Sequence, residues 1–254
     1  MIKIYRRPHT AFAARLLQQN LQALGVPARV VRRVNPLDPS LHILYHAARV
    51  RWLPRHYIVY QTEVTGSAWF SPRYLRTLQR ARAVWDYAAA NLCAYQYLAK
   101  RVDIVSPGVA AQPQAALAAK DIPALFYGSV KKSAARRRLL EQISRHVAVR
   151  VVEDQFEEDI WALLARAQTV LNLHFYPQAP LEAFRINEAL SFGCRVISQR
   201  SASGDERYTG LVQFADTAED IIAALQAPPN AALPDLTALD NLLEIKRALE
   251  QINP

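Results

Sequence analysis

Short apolar runs of strand length alternate with segments of helical periodicity along the whole chain, and prolines and glycines mark the changes. Residues 2–5 read as a buried strand. Thr10 is placed to cap a helix whose apolar positions Phe12, Leu16, Leu17, Leu21 and Leu24 share one face, and Gly25 closes it. Strand-length runs follow at 28–34, 41–45 and 57–61, bounded by Pro27, Pro36, Pro39 and Pro54. Helical patterns at 72–82 and 88–100 flank a short strand at 83–85, and 102–105 reads as the last strand of this half. The stretch 106–123, rich in alanine and proline, breaks the rhythm and places a linker at 111–122.

The series then resumes. It runs strand 125–127, helix 133–144, strand 147–152, and helix 154–167 opened by a capping box of Asp154 and Glu157. Strand 169–175, helix 181–192, strands 195–198 and 211–214, helix 217–225 and a last helical segment at 237–252 complete it. Right-handed crossovers lay each helix back onto its own sheet. The expected fold is therefore α/β: two Rossmann-like, doubly wound parallel-sheet domains, 1–110 and 123–254, facing a cleft.

With 51% hydrophobic and 21% charged residues, 254 residues suffice for a full core. No apolar run approaches the roughly 18 residues of a membrane span, and the first seven residues lead into a mixed polar segment, so a cytoplasmic location is expected. Cys93 and Cys194 have no metal-type spacing and read as buried free thiols. A net charge of +9 suits an anionic partner. The arginines are scattered, without a basic helix interleaved with stacking aromatics, which argues against nucleic acid and leaves a nucleotide diphosphate or peripheral contact with a membrane. The turn 6–10 lacks a Gly-x-Gly-x-x-Gly loop, which argues against a dinucleotide-dependent oxidoreductase. There is no Asp-x-Asp triplet and no clustered set of His and carboxylate ligands, so neither a metal nor a resident cofactor is expected.

In open parallel sheets, ligands bind beyond the carboxyl ends of the strands. Two loops in the second half meet that rule. In the first, Gly128 permits close backbone approach, Ser129 offers a hydroxyl, and Lys131 and Lys132 precede a helix capped by Ser133; they either neutralise phosphates or stand solvated. Arg136 to Arg138 read as helix surface. The second loop, at 176–180, follows a strand carrying Asn172 and His174, with Tyr176 at its start. His174 either touches a ligand or is satisfied by its neighbours. In the helix beyond, Ala183, Ile186, Ala189 and Leu190 make the buried stripe, and Arg185 and Glu188 lie one turn apart, either as ligand contacts or as a surface pair.

The runs Leu-Phe-Tyr-Gly-Ser at 125–129, Val-Leu-Asn-Leu-His-Phe at 170–175 and Glu-Ala-Phe-Arg-Ile-Asn-Glu-Ala-Leu-Ser-Phe-Gly-Cys-Arg-Val-Ile-Ser at 182–198 together resemble the donor-binding half of GT-B glycosyltransferases. The resemblance covers residues 123–198 and is strongest to short "group 1" and CgeB-like members. It implies transfer from a nucleotide-sugar co-substrate to a glycan, lipid-linked or small-molecule acceptor, in polysaccharide biosynthesis, without a metal. It also implies a ribose contact for Glu188, a sugar contact for Glu182, and a diphosphate pair formed by Lys131 or Lys132 with Arg185. The family's acidic pair has seven intervening residues, whereas five separate Glu182 from Glu188. That departure keeps open a catalytically degenerate scaffold that binds glycans or nucleotides.

The first half would hold the acceptor. Its segment 62–70 joins Glu63, hydroxyls, Trp69 and Phe70, and aromatic faces stack on sugar rings while carboxylates orient hydroxyls; the two aromatics could equally be a packed lid. Glu63 or His9 would be the general base of an inverting reaction, although His9 also fits as the residue before the Thr10 cap.

Overall fold

The computed structural model of the chain describes residues 1–96, 98, 100–110, 120–176, 179–228 and 234–252. It divides into two compact units, 1–108 with 240–254 and 109–239. The core of the expected linker, 111–119, lies outside the described residues.

The first unit holds a six-stranded sheet of β1 (Ile2–Tyr5), β2 (Ala28–Val31), β3 (His42–Tyr45), β4 (Tyr57–Gln61), β5 (Ala83–Asp86) and β6 (Val102–Ile104). Its order is β2-β1-β3-β4-β5-β6 with every pair parallel. Strands covered on both faces read as continuous apolar runs, and Ile43, Leu44, Ile58, Val59 and Val84 are fully buried. Helix α1 (Ala11–Ala23) follows β1, and α2 (Pro72–Arg80) precedes β5. Helix α2 starts on Ser71, whose hydroxyl accepts from the Tyr74 amide at 3.3 Å.

Periodicity predicts an α-helix over 88–100, but Ala89–Tyr95 forms a 3-10 stretch. The fully buried Asp86 reorganises it by accepting from the Ala88 amide at 2.9 Å, Asn91 Nδ2 at 2.9 Å and the Tyr95 hydroxyl. Three donors converging on one buried carboxylate satisfy it within this turn. Cys93 is consequently exposed, not buried as expected; Cys194 is buried.

The second unit has five parallel strands: β7 (Ile122–Tyr127), β8 (Val149–Val152), β9 (Ala167–Asn172), β10 (Arg195–Ser198) and β11 (Val212–Phe214), in the order β11-β10-β9-β7-β8. Phe126, Leu171 and Ile197 form one core face with Leu140 and Ile143 of α3 (Ala134–Ser144) and Ile221 and Ala224 of α6 (Ala218–Gln226). Strand β7 begins at Ile122, inside the expected linker. Helix α4 (Glu158–Arg166) begins later than predicted, because Asp154 and Glu157 have φ of 56° and 54° and no side chain caps the helix. The capping box is therefore not formed.

The sequence places 240–254 with the second domain, whereas its contacts bind it to the first unit. The buried Asn241 donates to the Ser106 carbonyl at 2.6 Å and accepts from Asn20 Nδ2 at 2.7 Å, and Glu244 of α7 (Leu242–Glu250) accepts from the Ser106 amide at 2.6 Å. A Cβ on Gly108 would lie 2.6 Å from Asn241 Oδ1, so only glycine fits beside this amide. Asn241→Ala strands the buried Ser106 carbonyl and the partly buried Asn20 amide and is expected to lower stability by about 2 kcal/mol, measured by chemical denaturation.

Candidate functional site

The second sheet reverses its strand order between β7 and β9, so the loops after these two strands flank a crevice, the usual ligand position in an open α/β sheet. Arg136 bridges them. It stands in the first turn of α3, whose Ser133 cap accepts from the Arg136 amide at 3.4 Å. Its Nε donates to the Leu173 carbonyl after β9 at 2.8 Å, its Nη1 to the Ser129 carbonyl after β7 at 3.2 Å, and its Nη2 to Glu182 Oε1 at 3.0 Å. The expected surface role holds for Arg137 and Arg138, which are exposed, but Arg136 is buried. Burial, with repulsion from Arg185 added, lowers its guanidinium to about 10 against the pull of Glu182; it remains a cation at neutral pH.

Arg185 is the second cation here. It pairs with Glu182 and donates from Nη1 to Asn172 Oδ1 at 3.0 Å, while Asn172 Nδ2 donates to Ser198 Oγ at 2.9 Å. The two guanidiniums converge on Gly128, where a Cβ would meet Arg185 Nη2 at 3.2 Å and Arg136 Nη1 at 3.7 Å. Gly128 has φ of 140°, a conformation that other residues rarely adopt. Glu182 caps the start of α5 (Ala183–Ser191) without a side-chain cap bond, because its oxygens are taken by the two arginines.

Glu188 does not form the surface pair with Arg185 that spacing allows. Its Oε1 accepts from Trp161 Nε1 at 2.8 Å, and its Oε2 lies 3.1 Å from the Tyr127 hydroxyl. Burial pushes its carboxyl up to about 7, against the opposing effects of the Trp161 and Tyr127 hydrogen bonds and of Arg185. A partly buried carboxylate held by two donors, with lone pairs to spare, is equipped to accept further hydroxyls.

The two lysines of the first loop stand at the surface. Lys131 and Lys132 are exposed; Glu153 accepts from the Val130 and Lys131 amides at 2.6 and 3.1 Å, and Lys131 Nζ lies 3.7 Å from its other oxygen. Arg136 takes the place expected of a lysine because it enters from the helix interior and satisfies two carbonyls on the way. Ser129 contributes its carbonyl to Arg136. His174 Nε2 lies 3.0 Å from the carbonyls of Gln199 and Arg200, which fixes the proton on that nitrogen and leaves Nδ1 as a buried acceptor with no partner among the described residues. Tyr176 meets Phe175 edge to face at 4.8 Å, and the residues after it, Pro177 and Gln178, lie outside the described part.

In the first unit the order reverses between β1 and β3. His9 follows β1, His46 follows β3, and Glu63 follows β4. His46 Nδ1 lies 2.6 Å from Glu63 Oε1, and the two imidazoles of His9 and His46 meet edge to face at 4.9 Å. Desolvation by the surrounding protein and then His46 lower the His9 imidazole to about 4, although the residue as a whole is exposed. His46 has a left-handed backbone, φ 52°. Trp69 lies 5.9 Å from the His46 ring and 4.0 Å under Arg49 Cζ. Phe70 turns into the core against Tyr74 and Tyr95.

Tyr127, Arg136, Trp161 and His46 were not singled out from sequence. Three of them occupy positions that the strand-end rule reaches: Tyr127 ends β7, Arg136 lies in the first turn of the helix after it, and His46 follows β3. Trp161 carries no such signal, since an indole on a helix reads as ordinary core.

No protein-family model matches the chain, and no curated protein matches it in sequence. Solved structures do resemble it. The avilamycin A biosynthesis glycosyltransferase AviGT4 superimposes with a TM-score of 0.64 at 14% identity, over 99% of this chain and 96% of that one. Anabaena HepE, in complex with UDP and glucose, gives 0.54 at 12% identity over 100% and 97%. A mutant of S. aureus TarM, in complex with Fondaparinux, alpha-GlcNAc-glycerol and UDP, gives 0.58 at 12% identity; 94% of this chain is covered, and the chain spans 58% of TarM's length. At such identities the likeness concerns architecture: two all-parallel sheets, each reversing its strand order once, give the chain the GT-B fold of these glycosyltransferases.

Proposed function

We propose that this chain is a glycosyltransferase that holds a nucleoside diphosphate sugar in its second unit and transfers the sugar to a glycan or lipid-linked acceptor bound by the first. The observation that carries the reading is the juxtaposition in one crevice of the Trp161- and Tyr127-held Glu188 with the Arg136 and Arg185 guanidiniums over Gly128. Ribose hydroxyls donate to the Glu188 carboxylate, and the two arginines meet the diphosphate where the absent side chain of Gly128 leaves room. As the glycosidic bond breaks, these cations stabilise the charge gathering on the leaving diphosphate, so no metal is called for in this role. A uracil base is favoured, since HepE is described with UDP-glucose and TarM with UDP. The finer affinity we assign is to the group 1 and CgeB-like members, acting on polysaccharide at the cytoplasmic side.

In the first unit, His46 Nε2 accepts the acceptor's hydroxyl proton beside the Glu63 carboxylate, whose Oε1 lies 2.6 Å from His46 Nδ1, and Trp69 offers a sugar-stacking face. His46 takes the role that sequence divided between Glu63 and His9.

The test is calorimetric titration with a panel of nucleoside diphosphates and their sugars, with and without divalent metal. Selective, metal-independent binding is expected, weakened at least tenfold in Glu188→Ala. Silence from every member of the panel defeats the donor-site reading. One observation favours a second reading, a binding module without turnover: both oxygens of Glu182 are committed to arginines. Release of free sugar from the bound donor excludes that alternative.

A further inference from the structure

The charge of the chain is not shared between its units. Residues 1–108 with 240–254 carry 18 Lys and Arg against 7 Asp and Glu, whereas 109–239 carry 13 against 15. The surplus of +9 therefore belongs wholly to the first unit. It is sharpest between residues 39 and 85, which hold seven arginines, no lysine and one acid, Glu63, itself buried against His46.

Six of these arginines share one surface. On α2, Arg73, Arg76 and Arg80 follow at three and seven residues and are exposed, while Tyr74 and Leu78 on the opposite side are buried. Beside the helix runs the loop after β3. Its Val50 and Leu53 pack in the same core cluster as Tyr74 and Leu78, and the Tyr57 hydroxyl beyond it donates to the Thr77 carbonyl of α2 at 2.9 Å. Arg49, Arg51 and Arg55 of this loop are exposed, and none of the six pairs with a carboxylate among the described residues. Among them stands Trp52, 66% exposed, with Arg51 Cζ 5.6 Å from its ring.

We infer that this face docks on an anionic phospholipid bilayer, the arginines lying on headgroup phosphates and Trp52 entering the interface. Several unneutralised cations on one surface are drawn to anionic lipid, each by about 1 kcal/mol. An indole that is apolar in body and polar at its N–H belongs at headgroup depth. A single-stranded polyanion would instead ask for a row of stacking aromatics, whereas Trp52 has the only widely exposed indole on this surface and Trp69 is covered on one face by Arg49. The inference does not rest on the donor-site reading, because it concerns the first unit and is tested without nucleotide.

The experiment is flotation of the full chain with vesicles of phosphatidylcholine alone or mixed with phosphatidylglycerol, alongside heparin and a single-stranded RNA as soluble polyanions. Binding is expected only with the anionic vesicles, falling as salt rises. The R73Q/R76Q/R80Q variant should lose about 100-fold in partitioning, near fivefold for each arginine, with its melting temperature unchanged. Trp52→Phe should abolish the blue shift of tryptophan emission on vesicle addition, since the other indoles stay in the protein. Equal binding to neutral vesicles, an unaffected triple variant, or binding to heparin or RNA but to neither vesicle overturns the proposal.

Discussion

Arg136→Leu is expected to remove most of the affinity for a diphosphate while leaving affinity for the bare nucleoside nearly intact. The guanidinium joins the loops after β7 and β9 through its bonds to Ser129, Leu173 and Glu182. A charge-assisted hydrogen bond contributes about 1.5–3 kcal/mol, so loss of this cation should weaken UDP by about 10- to 100-fold. Uridine, which carries no phosphate, should change by less than threefold, and the UDP-to-uridine ratio from calorimetry isolates the effect from any general loosening. Stability should also fall, by about 3 kcal/mol in denaturant, because the buried Leu173 carbonyl and the partly buried Ser129 carbonyl lose their donor and Glu182 keeps only Arg185. Arg136→Lys should rescue part of the diphosphate affinity but little of the stability, since one ammonium cannot span three acceptors in the guanidinium's geometry.

The second large effect separates stability from binding at Glu188. Its folded carboxyl titrates at about 7, above the ordinary 4.5, because burial disfavours the charge. Below pH 4.5 both states hold the proton and the group is neutral in its effect. Between 4.5 and 7 the unfolded chain releases its proton while the folded chain keeps it, so stability falls with rising pH, by about 3 kcal/mol once pH exceeds 7. Glu188→Gln should abolish that slope and make the protein more stable than the parent at pH 8. Nucleotide binding should move the other way. Hydroxyls donate best to the ionised form, so the parent's affinity should fall by about tenfold per pH unit below 7, while the Gln variant binds weakly at every pH. Thermal melts and titrations across pH 5–9 check both signs. A variant that gains stability without losing binding would show that Glu188 is ordinary core.

A stability cost of this kind is what the proposed donor role of Glu188 would require the fold to tolerate. The setting of Glu188 also explains why sequence pointed to it while misjudging its partner. An i, i+3 spacing on a helix suggests a bond to Arg185, but Arg185 turns to Glu182 and Asn172, and the carboxylate is held from other elements by Trp161 and Tyr127. The same applies to Lys131 and Lys132. Their place before a helix suggests phosphate contact; in the fold Glu153 accepts from two amides of their loop and both side chains are exposed.

Local rules were enough for the alternation of strands and helices, the parallel sheets and the buried stripe of α5. Periodicity and the backbone limits of proline and glycine act over a few residues, so they are written in any short window of the chain. Tertiary structure alone decided the rest. It brought Trp161 to Glu188 across 27 residues, Arg136 to Glu182 across 46, and Glu244 to Ser106 across 138, which carried the last helix back to the first unit. Those pairings arise because each buried charge or amide must find a partner wherever the fold supplies one, and no local pattern says where that will be.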